Sequence, residues 1–195
     1  MANTYLLSDE AKRYLCCYYQ ILDGMIQGIS AAKLTQSISQ NTIVQLLPHQ
    51  RAAVRLSRNI LEASNDGAVR RLAQRIAASE AQAIEELEAE LPNAGQLTSP
   101  QMDLRLFQRR SDLIFREMYA QMGSVPESSR LDVLFLRQMI PQRQGAIRAA
   151  RNTLRYEVST GQAPILRSVI DTQSREVRQM RALLSRRGCQ SCQGM

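Results

Sequence analysis

The sequence predicts an all-α protein of six helices, and three observations lead there. The 195 residues hold 5% aromatics, no Trp, nine Gly and six Pro, and are rich in Ala, Leu, Arg, Gln and Glu. That composition loses little on entering helices and lacks the aromatic and turn residues of a sandwich or barrel. Apolar residues recur at helical spacing in six stretches separated by stop signals, and none alternates in the manner of a strand. Third, sliding the chain by 93 residues lays the first three stretches on the last three without a gap, the pattern of a tandem three-helix repeat. The length suffices to bury a substantial core.

Each element has its own warrant. Ser8 is placed to cap the first helix, with Asp9 and Glu10 in its opening turn. The stripe Leu15, Tyr18, Leu22, Met25, Ile26 and Ile29 carries that helix to about residue 32. The second covers about 39–64, with Ile43, Leu46, Leu47, Ala53, Val54, Ser57, Ile60 and Leu61 inward, and Asn65-Asp66-Gly67 ends it. The third, about 67–91, aligns Leu72, Ile76, Ala83, Ile84 and Leu87 before Leu91-Pro92-Asn93-Ala94-Gly95 breaks the pattern. Ser99-Pro100 reads as an N-cap followed by proline at the first helical position of a fourth helix, about 100–122, with Leu104, Phe107, Ile114, Phe115, Met118 and Met122 inward. Gly123-Ser124-Val125-Pro126 turns into a fifth helix at about 129–158. The sixth follows Gly161, holds Pro164 in its first turn and runs to about Arg187. The expected organisation is a first repeat over 1–95, a second over 96–187 packed with it, and a frayed tail over 188–195.

Between 42–91 and 135–184 the two halves share nine identities, and seven lie between Gln45 and Leu61. They include Gln45/Gln138, Pro48/Pro141, Ala53/Ala146, Arg55/Arg148, Arg58/Arg151 and Asn59/Asn152. Proline within a helix removes one backbone bond and kinks or restarts it. Ala53 and Ala146 are small enough to let a facing helix approach closely.

Charge is unevenly spread. Residues 1–98 carry 9 basic and 10 acidic side chains, residues 99–195 carry 16 and 8, and all basic residues but Lys12 and Lys33 are arginines. A polyanion would dock on the second half, unless those arginines simply form solvated faces paired to acids a turn away. The single His49 excludes sites needing two histidines from one chain. There is no Gly-rich phosphate loop, no nucleophile elbow and no paired Glu-x-x-His, so no enzymatic activity is expected. The run Glu85, Glu86, Glu88 and Glu90 is expected to be solvated. No basic and apolar leader and no apolar run of bilayer length is present, which points to a cytoplasmic protein without a membrane partner. Cys16 and Cys17 are then expected as reduced helix residues, at least one of them packed inward.

Two stretches carry a resemblance. Gln45-Leu46-Leu47-Pro48-His49-Gln50-Arg51-Ala52-Ala53 and Phe135-Leu136-Arg137-Gln138-Met139-Ile140-Pro141-Gln142-Arg143-Gln144-Gly145-Ala146-Ile147 resemble the hallmark of the ferritin-like bacterial family called domain of unknown function number 305. Its second motif is matched by Glu80-Ala81-Gln82-Ala83-Ile84-Glu85-Glu86-Leu87 and Gln173-Ser174-Arg175-Glu176-Val177-Arg178-Gln179-Met180. The resemblance implies a central ferritin-like four-helix bundle built from the second, third, fifth and sixth helices. It also implies binding of transition metals, copper above all, through His and Met. Here most of those ligands are replaced. His49 stays but Gln50 stands for the second His, Gln142 and Arg143 replace both in the second copy, and Leu46, Leu56, Leu87 and Ala149 stand for methionines, leaving Met139 and Met180. A guanidinium cannot ligate a metal.

Cys189-Gln190-Ser191-Cys192 can chelate a soft ion or close a small ring, and the neighbouring Arg186 and Arg187 favour the thiolate. The expected function is a non-catalytic binding or scaffold module. Its degenerate site, His49, Gln50, Gln142 and Arg143, is lined by the two proline-bearing helices and suited to an anion or to a protein partner, another protein or a second copy. The alternative is a weak copper or zinc binder using Cys189 and Cys192 with His49, Met139 and Met180. A third is nucleic-acid binding by the basic half.

Overall fold

In the computed structural model the chain is described over residues 7–126 and 130–190, residues 188–190 by their backbone alone. Six helices follow in order: α1 Asp9–Ser30, α2 Ile38–Ala63, α3 Gly67–Ala94, α4 Gln101–Gly123, α5 Leu131–Thr153 and α6 Gln162–Gln190, with no strand among the described residues. None of these helices is long and apolar enough to cross a membrane.

The ends report the local chemistry. Ser8 caps α1, its hydroxyl accepting from Ala11 N at 3.2 Å. Asp66 opens α3, its Oδ1 accepting from Ala68 N and Val69 N at 2.9 and 3.0 Å. The α3 helix runs past Pro92 to Ala94, three residues beyond the expected stop, because Gly95 N still reaches Leu91 O at 3.2 Å. Ser99 does not cap α4. Its hydroxyl instead accepts from Ile38 N at 3.1 Å, satisfying the first turn of α2, and α4 starts from Pro100 without a side-chain cap. The α5 helix stops at Thr153 rather than near 158, as Leu154, Arg155 and Tyr156 close on carbonyls in short turns. Both α2 and α5 continue through Pro48 and Pro141 without restarting. The helical backbone of α6 extends to Gln190, beyond the expected end at Arg187.

The α2 helix packs on α1 and α3, and α5 packs on α4 and α6. The halves meet where α2 faces α5 and α3 faces α6, which leaves these four helices central and α1 and α4 as flanks. One contiguous core contains side chains of all six, from Tyr14 and Met25 on α1 to Leu166 and Met180 on α6. The flanking helices cross over: Tyr14 Oη donates to Gln138 Oε1 on α5 at 2.7 Å, and Tyr18 Oη to Met122 O on α4 at 3.0 Å. Positions 93 apart repeat their bonds, Asn59 donating to Tyr14 O at 3.0 Å and Asn152 to Phe107 O at 3.2 Å.

Two expectations about burial change. Cys16 and Cys17 are both exposed, because they fall on the far side of the stripe formed by Tyr14, Leu15, Tyr18 and Ile21. Glu90 is buried rather than solvated, folded against Asn93, whose Nδ2 donates to its Oε2 at 3.2 Å.

Candidate functional site

Where α2 faces α5, the fold buries a polar centre. His49 and Gln50 follow Pro48 on α2, Gln142 and Arg143 follow Pro141 on α5, and all four are fully buried. From the outer pair of central helices come Glu80 on α3, and Gln173 and Glu176 on α6, each under one-tenth exposed. The degenerate family site named from sequence is thus brought together in space.

Its bonds tie the two halves. His49 Nε2–H donates to Gln142 O at 2.9 Å, which leaves Nδ1 an acceptor 3.4 Å from Gln142 Nε2; the Gln50 side-chain amide, whose end lies 3.0 Å from Nδ1, satisfies this tautomer by turning its NH2 to the ring. Gln142 Nε2 also donates to His49 O at 3.2 Å. Burial, and next the charge of Arg143, push His49 down to about 4, so the ring is neutral.

Arg143 is the centre's cation. Its Nη1 donates to Glu80 Oε1 and its Nε lies 3.4 Å from Glu176 Oε2. Gln173 Nε2 donates to the same Glu80 oxygen at 3.0 Å, and Ser79 Oγ to Glu176 Oε1 at 3.2 Å. Burial pushes the Glu80 carboxyl up to about 7; the attraction of Arg143 works against the rise and Glu176 adds to it. Between α3 and α6 a cavity of about 80 Å³, lined in part by Ser79, Glu86, Ser168 and Thr172, reaches Glu80 and Gln173. It has room for about two waters beside Glu80 Oε2 and Gln173 Oε1, which take no hydrogen bond from protein.

A soft metal does not fit this centre. Both His49 nitrogens face polar partners inside the centre, the buried Leu46, Leu56 and Leu87 offer no donor atom, and a guanidinium already holds the local positive charge. Among the described residues no group of three or more His, Cys, Asp or Glu could hold a metal ion. Met139 and Met180 are fully buried in the apolar core. Cys192 lies outside the described residues, as does the side chain of Cys189.

Sequence reasoning placed Glu80, Gln173 and Glu176 on motif helices without giving them a role. The signal was present: Glu80 and Gln173 are 93 residues apart, like His49 and Gln142, and a buried arginine requires carboxylates.

Comparison with known proteins agrees with this layout. No curated protein matches the sequence significantly. The crystal structure of a DUF305 fragment from Deinococcus radiodurans is similar, with a TM-score of 0.55 and 25% identity, covering 76% of this chain and 96% of that one. The model of the domain of unknown function DUF305 matches residues 40–184, which span all of α3, α4 and α5 and most of α2 and α6. With well over half of its length matched, the chain belongs to the DUF305 family.

Proposed function

We propose that this protein is a non-catalytic binding or scaffold module, a tandem-repeat, ferritin-like member of its family whose metal centre has been replaced by an internal ion pair. The observation that carries this reading is Arg143, fully buried between Glu80 and Glu176 at the level of His49. A guanidinium fixed there occupies both carboxylates and supplies no lone pair of its own to a metal ion. The same pairing neutralises the guanidinium, so an anion inside the bundle would have to displace Glu80 and Glu176. The interior therefore serves to join the two halves, and recognition falls to the surface.

The test is metal content by elemental mass spectrometry after loading with Cu(I) or Zn(II) under reducing conditions. The Cys189→Ser, Cys192→Ser double variant should retain no stoichiometric ion. One tightly held ion per chain in that variant would place metal in the bundle and sink the proposal. An ion held by the wild type and lost in the variant would make the cysteine pair a copper or zinc site, independent of the centre.

A further inference from the structure

A groove of about 480 Å³ runs between α5 and α6, with Gln121 of α4 at its edge. Gln144, Arg148 and Arg151 line one wall and Ser174, Arg178 and Arg181 the other, each triad at i, i+4 and i+7, over a floor of Ile147 and Val177. Arg148 pairs with Glu117, while Arg151, Arg178 and Arg181 are exposed and have no ion-pair partner among the described residues. No carboxylate lies between 133 and 156 or from 177 onward, so neither wall supplies counter-charge near the four guanidinium groups.

The first half of the chain provides an internal comparison. Counting back 93 residues, Arg148 and Arg151 correspond to Arg55 and Arg58, but Arg178 and Arg181 correspond to Glu85 and Glu88. There one arginine of α2 meets an acid on α3, Arg51 Nη2 donating to Glu88 Oε1 at 2.6 Å. Position 88 thus offers a carboxylate to an α2 arginine, while its counterpart, Arg181, adds a further guanidinium to the groove that Arg148 and Arg151 line. Gathering four guanidinium groups is costly unless an anion joins them.

We propose that this groove binds a compact polyphosphate group, either inorganic or the phosphate chain of a nucleotide. Guanidinium forks match phosphate oxygens in pairs, and Gln144, Gln121 and Ser174 add neutral donors. No aromatic side chain lines the groove, which speaks against stacked bases and hence against single-stranded nucleic acid as the occupant. This inference is independent of the buried centre.

The test is calorimetric titration of the full chain with inorganic tripolyphosphate and with ATP, beside single-stranded and duplex oligonucleotides. Wild type should bind one tripolyphosphate per chain. The Arg178→Glu, Arg181→Glu variant, which restores the charge pattern of the first half, should weaken it about 100-fold or more, two charge-assisted contacts being lost. That variant should also melt at higher temperature, through new pairs with Arg148 and Arg151. Should it fail to fold, Arg178→Gln, Arg181→Gln is expected to lose binding with its helicity intact. Arg71→Gln, Arg75→Gln, in a separate groove against α6, should bind as wild type does. ATP binding as tightly as tripolyphosphate would show that the phosphate chain alone is read, and tighter ATP binding would identify a nucleotide. No saturable tripolyphosphate binding, equal loss in both arginine pairs, or oligonucleotides preferred over tripolyphosphate would each overturn the proposal.

Discussion

Arg143 illustrates how a single residue sets the character of the interior. Removing a buried cation strands its carboxylates, so Arg143→Met should cost about 3–5 kcal/mol in chemical denaturation. Adding Glu80→Gln and Glu176→Gln should recover much of that loss, and a single variant as stable as wild type would show the pair to be dispensable. The two shifted groups act in opposite senses. His49, held near 4 against an unfolded value of 6.5, contributes stability that is present above 6.5 and lost as pH falls through about 4. Glu80, held near 7 against 4.5, contributes stability that is present below 4.5 and lost as pH rises through about 7. Their slopes oppose one another between about 4.5 and 6.5. Relative to wild type, His49→Gln should therefore lose stability as pH rises across that window, and Glu80→Gln should gain it. Urea midpoints measured in steps of pH would check this, and parallel curves for all three proteins would refute it. The meeting of His49, Gln50, Gln142 and Arg143 was legible in the sequence because the repeat aligns them. The part played by Glu80 and Glu176 was not, since helical periodicity does not say which acid on a helix meets a cation from another.

At the scale of helices, close approach decides more than propensity. A Cβ added at Gly28 would sit 2.7 Å from Pro48 Cβ, and a proline ring cannot swing aside. Gly28→Ala should thus destabilise by about 1–2 kcal/mol, the crowding outweighing the helix propensity gained. Gly123, with nothing within 4 Å of such a Cβ and no positive φ, is the control, and its alanine variant should match or slightly exceed wild type. Equal melting temperatures for the two variants would remove the steric account. The spans of α1, α2 and α4 follow from their apolar stripes to within a residue or two. The ends of α3 and α5 do not, because a proline in a last turn is tolerated and a helix stops where its neighbours stop covering it. Ser99 shows the limit most clearly: its spacing before Pro100 suggests a cap on α4, while in the fold it serves α2.

On the scale of the molecule, the shared core and the bonds crossing between halves make separate unfolding of residues 1–95 and 96–187 unfavourable. Thr42 and Thr153 hydroxyls meet at 2.9 Å, and Arg187 of α6 reaches Asp132 at 2.8 Å and also Asp66. Equilibrium unfolding should be a single transition, with helix signal and tyrosine fluorescence coincident, since Tyr14 and Tyr18 report from one half and Tyr119 and Tyr156 from the other. Two resolved transitions would instead establish two folding units.

The amino-acid sequence by itself determined the all-α class, the number and order of helices, their inward faces and the asymmetry of charge. These depend on spacing along the chain, and spacing is local. Only the tertiary structure decided that Arg143 lies between Glu80 and Glu176, that both halves share one core, and that Arg148, Arg151, Arg178 and Arg181 gather over a single groove. Each of these sets the distance between charges on different helices, and that distance, through Coulomb energy and desolvation, determines whether a charge is neutralised within the fold or left for a ligand.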